Sequence, residues 1–223
     1  MGSYDLGAHK SINISFINLR QSNDILDSRY WGVLGTNYCK NLLYDGCRLS
    51  RFDAHCGVCN ATIRNSVLGY AGVNLIGYGT FLLENTTIHG QNMLHLRPDY
   101  GAFWRGDIII RNCVFQCLNS RHACLISGHN NGQHDFGYEC RMPTTITIDG
   151  LRINDQRVRA KNYRGPCVFT AFTPQFKPGD KEKFPYIPTR TVTVRDLHVA
   201  SGKPLSLSPQ PDFFQGTELR IQK

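Results

Sequence analysis

The chain has 223 residues, 41% of them hydrophobic, which is enough to bury a sizeable core. Its formal net charge at pH 7 is +8, but the 25 lysines and arginines are scattered rather than clustered. A scattered basic surface argues against nucleic-acid binding and is compatible with an anionic polymer. No apolar run is long enough for a membrane helix, and no signal-peptide pattern is present. We therefore expect no nucleic-acid partner and no membrane insertion.

A short pattern of alternating apolar and polar residues recurs seven times along the chain. The clearest pair of copies is 61–68 (ATIRNSVL) and 81–88 (FLLENTTI), whose asparagines Asn65 and Asn85 are twenty positions apart. A repeat of about this length is typical of a stacked solenoid. One Asn, Gly or Asp marks the bend in each copy, and these markers are Asn18, Gly46, Asn65, Asn85, Asn112, Gly150 and Asp196.

Each copy consists of a short apolar alternation, a small or polar residue at a bend, and a second short alternation. Alternation with a period of two is typical of β-strands, and no segment sustains helical periodicity. The repeat therefore predicts an all-β fold, a right-handed parallel β-helix of about seven coils. Polar side chains at one inward bend are expected to stack and hydrogen-bond along the axis.

Three short segments carry a resemblance to a known family: residues 4–9 (YDLGAH), 50–55 (SRFDAH) and 96–101 (LRPDYG). With the repeat, they make the chain resemble the pectate-lyase-like right-handed β-helices, and the segment 4–119 resembles bacteriophage tailspikes and pre-neck appendages. The resemblance implies a homotrimer, assembled in the bacterial cytoplasm and located in the virion tail. An extracellular bacterial protein is the alternative. The calcium-binding aspartate cluster of pectate lyases has no counterpart here.

The domain organisation follows from the repeat. Residues 1–3 (Met-Gly-Ser) are interpreted as a possible cloning remnant, with a natural start as the alternative. Residues 4–223 are predicted to form a single β-helix domain. Because solenoids need polar caps over their end strands, and the repeat begins almost at once, we expect this domain to be a fragment of a longer chain.

Nine cysteines are many for this length, and their positions favour buried thiols. Cys47 and Cys113 occupy the inward position after a bend, where small hydrophobic residues are expected. The Cys56-x-x-Cys59 spacing suits zinc, but no second ligand pair follows at a suitable distance. The odd number without a regular framework predicts core thiols and a reducing compartment during folding.

Aligning the coils by their bends predicts a second column of outward-facing residues. In that alignment His55, Asn74, His95 and Cys124 share one face, and adjacent coils lie about 4.8 Å apart. The two histidines would stand roughly 10 Å apart with Asn74 between them. The same face would carry Asp53 and Arg97, and the adjoining loop would carry Asp99, Tyr100 and Trp104.

These residue types suit the cleavage of a polymer. The predicted catalytic residues are two histidines for proton transfer and two carboxylates to orient them or act as the second acid/base group: His55, His95, Asp53 and Asp99. The predicted substrate-binding residues are an arginine to hold an anionic group, an amide, and two rim aromatics to stack on sugars: Arg97, Asn74, Tyr100 and Trp104. Neither a metal nor a cofactor is expected in this site.

An alternative interpretation is that these are ordinary exposed polar residues on a strand face, and for any single one of them it is the preferred interpretation. The cluster argues for function, because no other face collects two histidines, an aspartate and an arginine in register. His129, His134 and Asp135 form a second polar set that resembles metal ligands. Their loose spacing in a Gly/Asn-rich loop makes solvated residues the preferred interpretation.

Three functions are compatible with these features. The first is a tailspike-like protein that binds and cleaves a bacterial surface polymer, a teichoic acid or an acidic polysaccharide, by acid/base chemistry. The second is a glycan-binding or structural β-helix without turnover. The third is a pectate-lyase-like polysaccharide lyase. The products distinguish hydrolysis from elimination, and binding without products indicates adhesion.

Overall fold

A computed structural model describes residues 6–29, 32–128, 133, 140–170 and 187–222. Two short 3-10 helices, Pro98–Tyr100 and Pro211–Phe214, accompany an otherwise β structure. No helix in these ranges is long and apolar enough to cross a membrane. The strands are β1 (Leu6–His9), β2 (Ser15–Ile17), β3 (Leu34–Asn37), β4 (Cys39–Asp45), β5 (Arg48–Leu49), β6 (Phe52–Asp53), β7 (Val58–Arg64), β8 (Val67–Leu68), β9 (Val73–Leu75), β10 (Gly77–Glu84), β11 (Thr87–Gly90), β12 (Asn92–Leu96), β13 (Trp104–Cys117), β14 (Cys124–Ser127), β15 (Thr145–Asn154), β16 (Cys167–Phe169), β17 (Thr191–Val199) and β18 (Glu218–Gln222).

The strands form three sheets, and every pairing between the named strands is parallel. The largest sheet has 11 strands, eight of which run in the order β18-β17-β15-β13-β10-β7-β4-β2. Of the other three, β11 pairs with β13, β8 pairs with β11, and β5 pairs with β8. A second sheet has five strands in the order β16-β14-β12-β9-β6, and β1 pairs with β3 in the third. This parallel, all-β arrangement agrees with the predicted fold class.

The sequence repeat corresponds to strand register. Phe81 pairs with Ala61 and Ile88 with Leu68, so the two clearest copies lie side by side with their predicted offset. All seven bend markers have φ between 43° and 75°, the left-handed region that Asn, Asp and Gly adopt most readily. Gly150 also needs its missing side chain, because a Cβ there would lie 2.6 Å from the Asn112 side-chain oxygen.

The bend side chains stack, but outside the molecule rather than inside. Asn85 donates to the side chain of Asn65 at 3.4 Å, and Asn65 donates to Asp45 at 2.9 Å. Both asparagines are exposed, so the prediction of an inward polar stack at the bends is wrong. The reason is that a left-handed bend turns its own side chain outward and the following residue inward, as seen for the buried Ser66 and Thr86.

The core is filled by ladders of apolar side chains from successive strands. One ladder is aromatic, with ring centroids 5.0 to 6.1 Å apart between consecutive members. Such tilted and edge-on contacts are favourable beyond the area that they bury. The members of this ladder are Phe16, Tyr44, Phe52, Phe81 and Trp104.

The structure separates the cysteines into three groups. Cys47 and Cys113 are free and buried as predicted. Cys56 and Cys59 are free but only half-buried, so they are not core thiols. The core-thiol prediction is also wrong for Cys124 and Cys167, which form a disulfide because β14 and β16 bring them side by side in the five-stranded sheet.

We expect Cys113→Ser to lower the free energy of unfolding by about 1–3 kcal/mol, with a value near the lower limit. Burial raises the pKa of Cys113 to about 11, as expected for an inert thiol in an apolar stack. The serine hydroxyl can donate to the Arg111 carbonyl, which the thiol now contacts at 3.0 Å. Thr86 makes the equivalent bond to the Glu84 carbonyl one coil earlier. Urea denaturation measures the cost, and a loss above that range would mean that the hydroxyl finds no acceptor.

Candidate functional site

The candidate site lies on the five-stranded sheet. The predicted pairing of Asn74 with His95 is confirmed, whereas the register is shifted by two residues at the His55 end and by three at the Cys124 end. The residue that pairs with Asn74 is Asp53 rather than His55, because the large Phe52 takes the inward position opposite Val73. At the other end His95 pairs with Ser127, whereas Cys124 pairs with Asn92. The predicted positions of His55 and Cys124 in the column are therefore wrong. The observed polar column consists of Asp53, Asn74, His95 and Ser127.

Asp53 is fully buried although its strand position faces away from the core. One carboxylate oxygen lies 3.3 Å from Arg51 Nη2, and the other lies 3.4 Å from Arg97 Nη1. The Asp53 and Arg51 side chains are 1% and 5% exposed, so water contributes little to stabilising either charge. Asp53 therefore acts as the anchor of a buried ion network rather than as the open carboxylate predicted from the sequence.

Arg97 ties the two aspartates of the site together. Its Nε and Nη2 donate to the two oxygens of Asp99 at 3.0 and 2.6 Å, while Nη1 reaches Asp53. The Arg97 side chain is only 11% exposed, and its guanidinium also lies over the Tyr100 ring at 5.0 Å. An arginine with these partners holds the site together, in addition to any role in binding an anion.

His55 lies just beyond β6 and joins this network from the solvent side. Its Nδ1 is 2.9 Å from Arg97 Nη1 and 3.8 Å from an Asp53 oxygen. Since arginine can only donate, Nδ1 accepts the hydrogen bond and the imidazole is neutral in this arrangement. Burial and then the Arg97 charge lower the pKa of His55 below its ordinary value, and the nearby carboxylates oppose this only in part. The side chain remains 37% exposed, so it is accessible to a substrate.

Tyr100 covers the other edge of His55. The 3-10 turn that follows β12 places the Tyr100 hydroxyl 3.5 Å from His55 Nε2 and 3.5 Å from the Cys56 thiol. Tyr100 is 7% exposed and burial raises its pKa, so it is a neutral hydrogen-bonding group. The prediction of a rim aromatic is wrong here, because the turn folds the ring against the ion network.

His95 forms a second polar pair on the strand next to that of Asn74. Its Nδ1 lies 2.7 Å from the Ser127 hydroxyl, and Asn74 donates to the Ala71 carbonyl at 3.2 Å. Ser127 was not predicted as a site residue. Aligning Leu94 with Ile126 instead of Ala123 in the sequence would have identified it, because Ser127 then lies opposite His95 on the same face.

Two further predictions fall outside this arrangement. Trp104 is fully buried at the start of β13, where it packs edge-on against Phe81 in the aromatic ladder, so it is not a rim residue. His129, His134 and Asp135 lie outside the described residues. Within the described ranges, no group of three or more His, Cys, Asp or Glu side chains is arranged to hold a metal ion.

The geometry therefore offers one partly exposed neutral imidazole, that of His55, supported by a buried ion network. A second histidine, His95, and Ser127 lie on the five-stranded sheet. A neutral histidine of lowered pKa suits proton abstraction near neutral pH. The buried Asp53 and the two arginines fix its orientation through Arg97. Asn74 and the His95–Ser127 pair extend the polar surface across the strands of the five-stranded sheet, perpendicular to the strand direction.

Sequence and structure comparisons give a limited answer. No family model matches the chain, and no solved structure shows significant similarity. The chain is 26% identical over 136 residues to a capsule KL64-specific depolymerase of Klebsiella phage P510. The alignment spans 48% of this chain and 13% of that relative, so the chain corresponds to a small part of the longer protein. The chain is thus similar over about half its length to a phage capsule depolymerase.

Proposed function

We propose that the chain is part of a tailspike-like protein that binds and cleaves a bacterial surface polysaccharide by acid/base chemistry. The observation that carries the proposal is His55: a neutral, partly exposed imidazole whose Nδ1 lies 2.9 Å from Arg97 above the buried Asp53. The similarity to a phage capsule depolymerase supports the same function. The substrate class is a capsular polysaccharide or another acidic wall polymer, such as a teichoic acid.

The fold and assembly belong to the same proposal. We propose a right-handed parallel β-helix of about seven coils of the pectate-lyase-like type. The seven left-handed bends and the three parallel sheets support this arrangement. A homotrimer in the virion tail follows from the tailspike resemblance. Residues 4–223 would be one domain of the longer protein.

In the proposed mechanism, His55 carries its hydrogen on Nε2 at rest, because Nδ1 accepts from Arg97. The proton taken from water or from the substrate therefore goes to Nδ1, as the hydrogen bond from Arg97 opens. The protonated ring would then turn its Nδ1 hydrogen towards the Asp53 oxygen, now 3.8 Å away, which stabilises the imidazolium. His95, paired with Ser127, is the second proton-transfer group. Asp99 and Arg97 keep the loop over the site in place. Asn74, which pairs with Asp53 on one side and His95 on the other, is a hydrogen-bonding group for the sugar.

Product analysis tests the proposal. The chain is incubated with purified capsular polysaccharides, including that of the KL64 type, and with purified teichoic acids. New reducing ends or phosphomonoesters indicate hydrolysis, and unsaturated products absorbing in the ultraviolet indicate a lyase. Absence of products from every polymer would contradict a cleaving site in this chain.

A non-catalytic glycan-binding β-helix is the second candidate, and one observation favours it. Arg97 and Asp53 are already partnered within the protein, which is typical of a structural ion network. Binding of a polymer without any product would support this candidate over the first.

The pH dependence of cleavage gives a separate prediction. A general base works in its neutral form, and the pKa of His55 is lowered from 6.5 by burial and by Arg97. We therefore expect kcat/KM to rise with pH along an acidic limb whose midpoint lies below 6.5. Initial rates at several pH values measure the midpoint. A limb centred above the ordinary histidine value would contradict the assignment of His55 as the base.

A further inference from the structure

A groove beside the candidate site has no role in the mechanism above. It has a volume of about 490 Å³. It is formed by the first residues of β4, β7, β10 and β13 and by residues just before these strands. Its polar and aromatic lining includes Tyr38, Lys40, Cys59, Tyr78, Phe103 and Arg105.

Four of the lining residues form one row across the largest sheet. Lys40 pairs with Cys59, Cys59 with Tyr78, and Tyr78 with Arg105. Residues paired in this way project from the same face, and adjacent strands lie about 4.8 Å apart. A row of three strand spacings therefore carries a cation at each end and an aromatic ring between them.

The chemistry of the groove suits a sugar that carries a negative charge. Tyr38 and Tyr78 are 58% and 55% exposed, although large aromatic side chains are usually buried. A hydrogen bond with Cys59 raises the pKa of Tyr78, so the phenol is neutral at pH 7. Flat, partly polar rings of this kind can stack on the C–H face of a sugar while their hydroxyls bind its polar groups.

The charges of the groove are of one sign. Lys40 and Arg105 are both exposed, and none of the described residues that line the groove is an aspartate or glutamate. Neither cation has a carboxylate partner among the residues that the structure describes. The two cations are therefore available for a carboxylate of a ligand, as surface arginines and lysines commonly are at anion-binding sites.

The groove adjoins the candidate site. Cys56 lines the groove, and its thiol lies 3.5 Å from the Tyr100 hydroxyl. That hydroxyl in turn lies 3.5 Å from His55 Nε2. Cys56 is next to His55 in the chain, so the groove begins one residue from the proposed base.

We propose that this groove is a binding subsite for an acidic sugar unit, stacked on Tyr78 and Tyr38 with its carboxylate between Lys40 and Arg105. The proposal rests on the proposed function, because the polysaccharide cleaved at His55 would supply that unit. It adds a substrate requirement to that function: the polymer carries a uronate or another carboxylate next to the bond that is cleaved.

Protection of Cys59 from alkylation tests the subsite without any need for cleavage. The probes are galacturonate and mannuronate tetrasaccharides, with maltotetraose as the neutral match. We expect an acidic tetrasaccharide to slow iodoacetamide labelling of Cys59, followed by mass spectrometry, and maltotetraose to have little effect. Tyr78→Ala or Arg105→Ala should weaken this protection about tenfold, the loss of one charge-assisted bond or one stacking contact. Arg152→Ala, an exposed arginine of β15 outside the groove, is the matched control.

The outcomes separate the subsite from the cleaving site. On a polymer that is cleaved, the groove variants should raise KM with little change in kcat, whereas His55→Ala should lower kcat. Unprotected Cys59 with every acidic probe, or groove variants that bind and cleave like the parent, would overturn the subsite and leave cleavage at His55 standing. Protection that is lost in the groove variants would support the subsite even where no polymer is cleaved.

Discussion

Replacing His55 with alanine is expected to lower the turnover of the cleaved polymer by about a hundredfold or more, the usual loss when a positioned proton-transfer group is removed. His55→Ala should leave the free energy of unfolding nearly unchanged, because the side chain is 37% exposed and the Asp53 network keeps its other members. His95→Ala is expected to reduce turnover by a similar factor. Initial rates on a cleaved polysaccharide and urea denaturation of the same samples measure both quantities.

His198→Ala is the matched control for His55→Ala. His198 is an exposed histidine on β17, a strand of the largest sheet, and it has no contact with the site described above. Its replacement should alter neither rate nor stability. Unchanged turnover in His55→Ala with the fold intact would remove His55 from the mechanism. A loss that appears equally in His198→Ala would point to a general effect on the protein.

The repeat was predictable because each bend depends on local chemistry. A left-handed bend favours Asn, Asp or Gly whatever the surrounding fold, so the markers at Asn65, Asn85 and Asn112 can be read directly from the sequence. The strand offset follows from aligning those markers, as the pairing of Phe81 with Ala61 illustrates. The direction of the marker side chains was less accessible, because it depends on how the bend turns relative to the core.

The site was only partly predictable because it lies away from the bends. Within residues 51–56 the only strand, β6, is two residues long. The alternation there is too short to fix which residues face outward. The burial of Phe52 decides the register and moves Asp53, not His55, into the polar column. Sequence alone did indicate that Asp53, His55, Arg97 and Asp99 belong together, and the structure brings these four into one network.

The burial of Asp53 could not be predicted from its neighbours along the chain. Arg97 is 44 residues away, and the Tyr100 turn that covers His55 follows from the path of the chain after β12. The short apolar and aromatic segments around Tyr100 and Trp104 could equally border a substrate site or pack into the hydrophobic core. Only the packing of Trp104 against Phe81 shows that it belongs to the core.

Replacing Asp53 with asparagine is expected to cost about 3–5 kcal/mol in the free energy of unfolding, the usual loss when one member of a buried ion network is removed. The change keeps the size of the side chain but removes the charge that faces Arg51, whose side chain is 5% exposed, and Arg97, which is 11% exposed. Arg97 retains its ion pair with Asp99, and Arg51 loses its ion-pair contact with Asp53. Urea denaturation of the parent and the variant measures the difference.

Asp45→Asn provides the comparison, since the same chemical change is made in an exposed ion pair. Asp45 lies 2.8 Å from Arg64, whose side chain is 45% exposed, and such surface pairs contribute about 0–1 kcal/mol. The asparagine also keeps the oxygen that accepts from Asn65, so the bend ladder remains. A large loss for Asp53→Asn beside a small loss for Asp45→Asn would establish the buried network as the support beneath His55. Equal small losses would mean that water reaches Asp53 and that the network does not hold the imidazole in place.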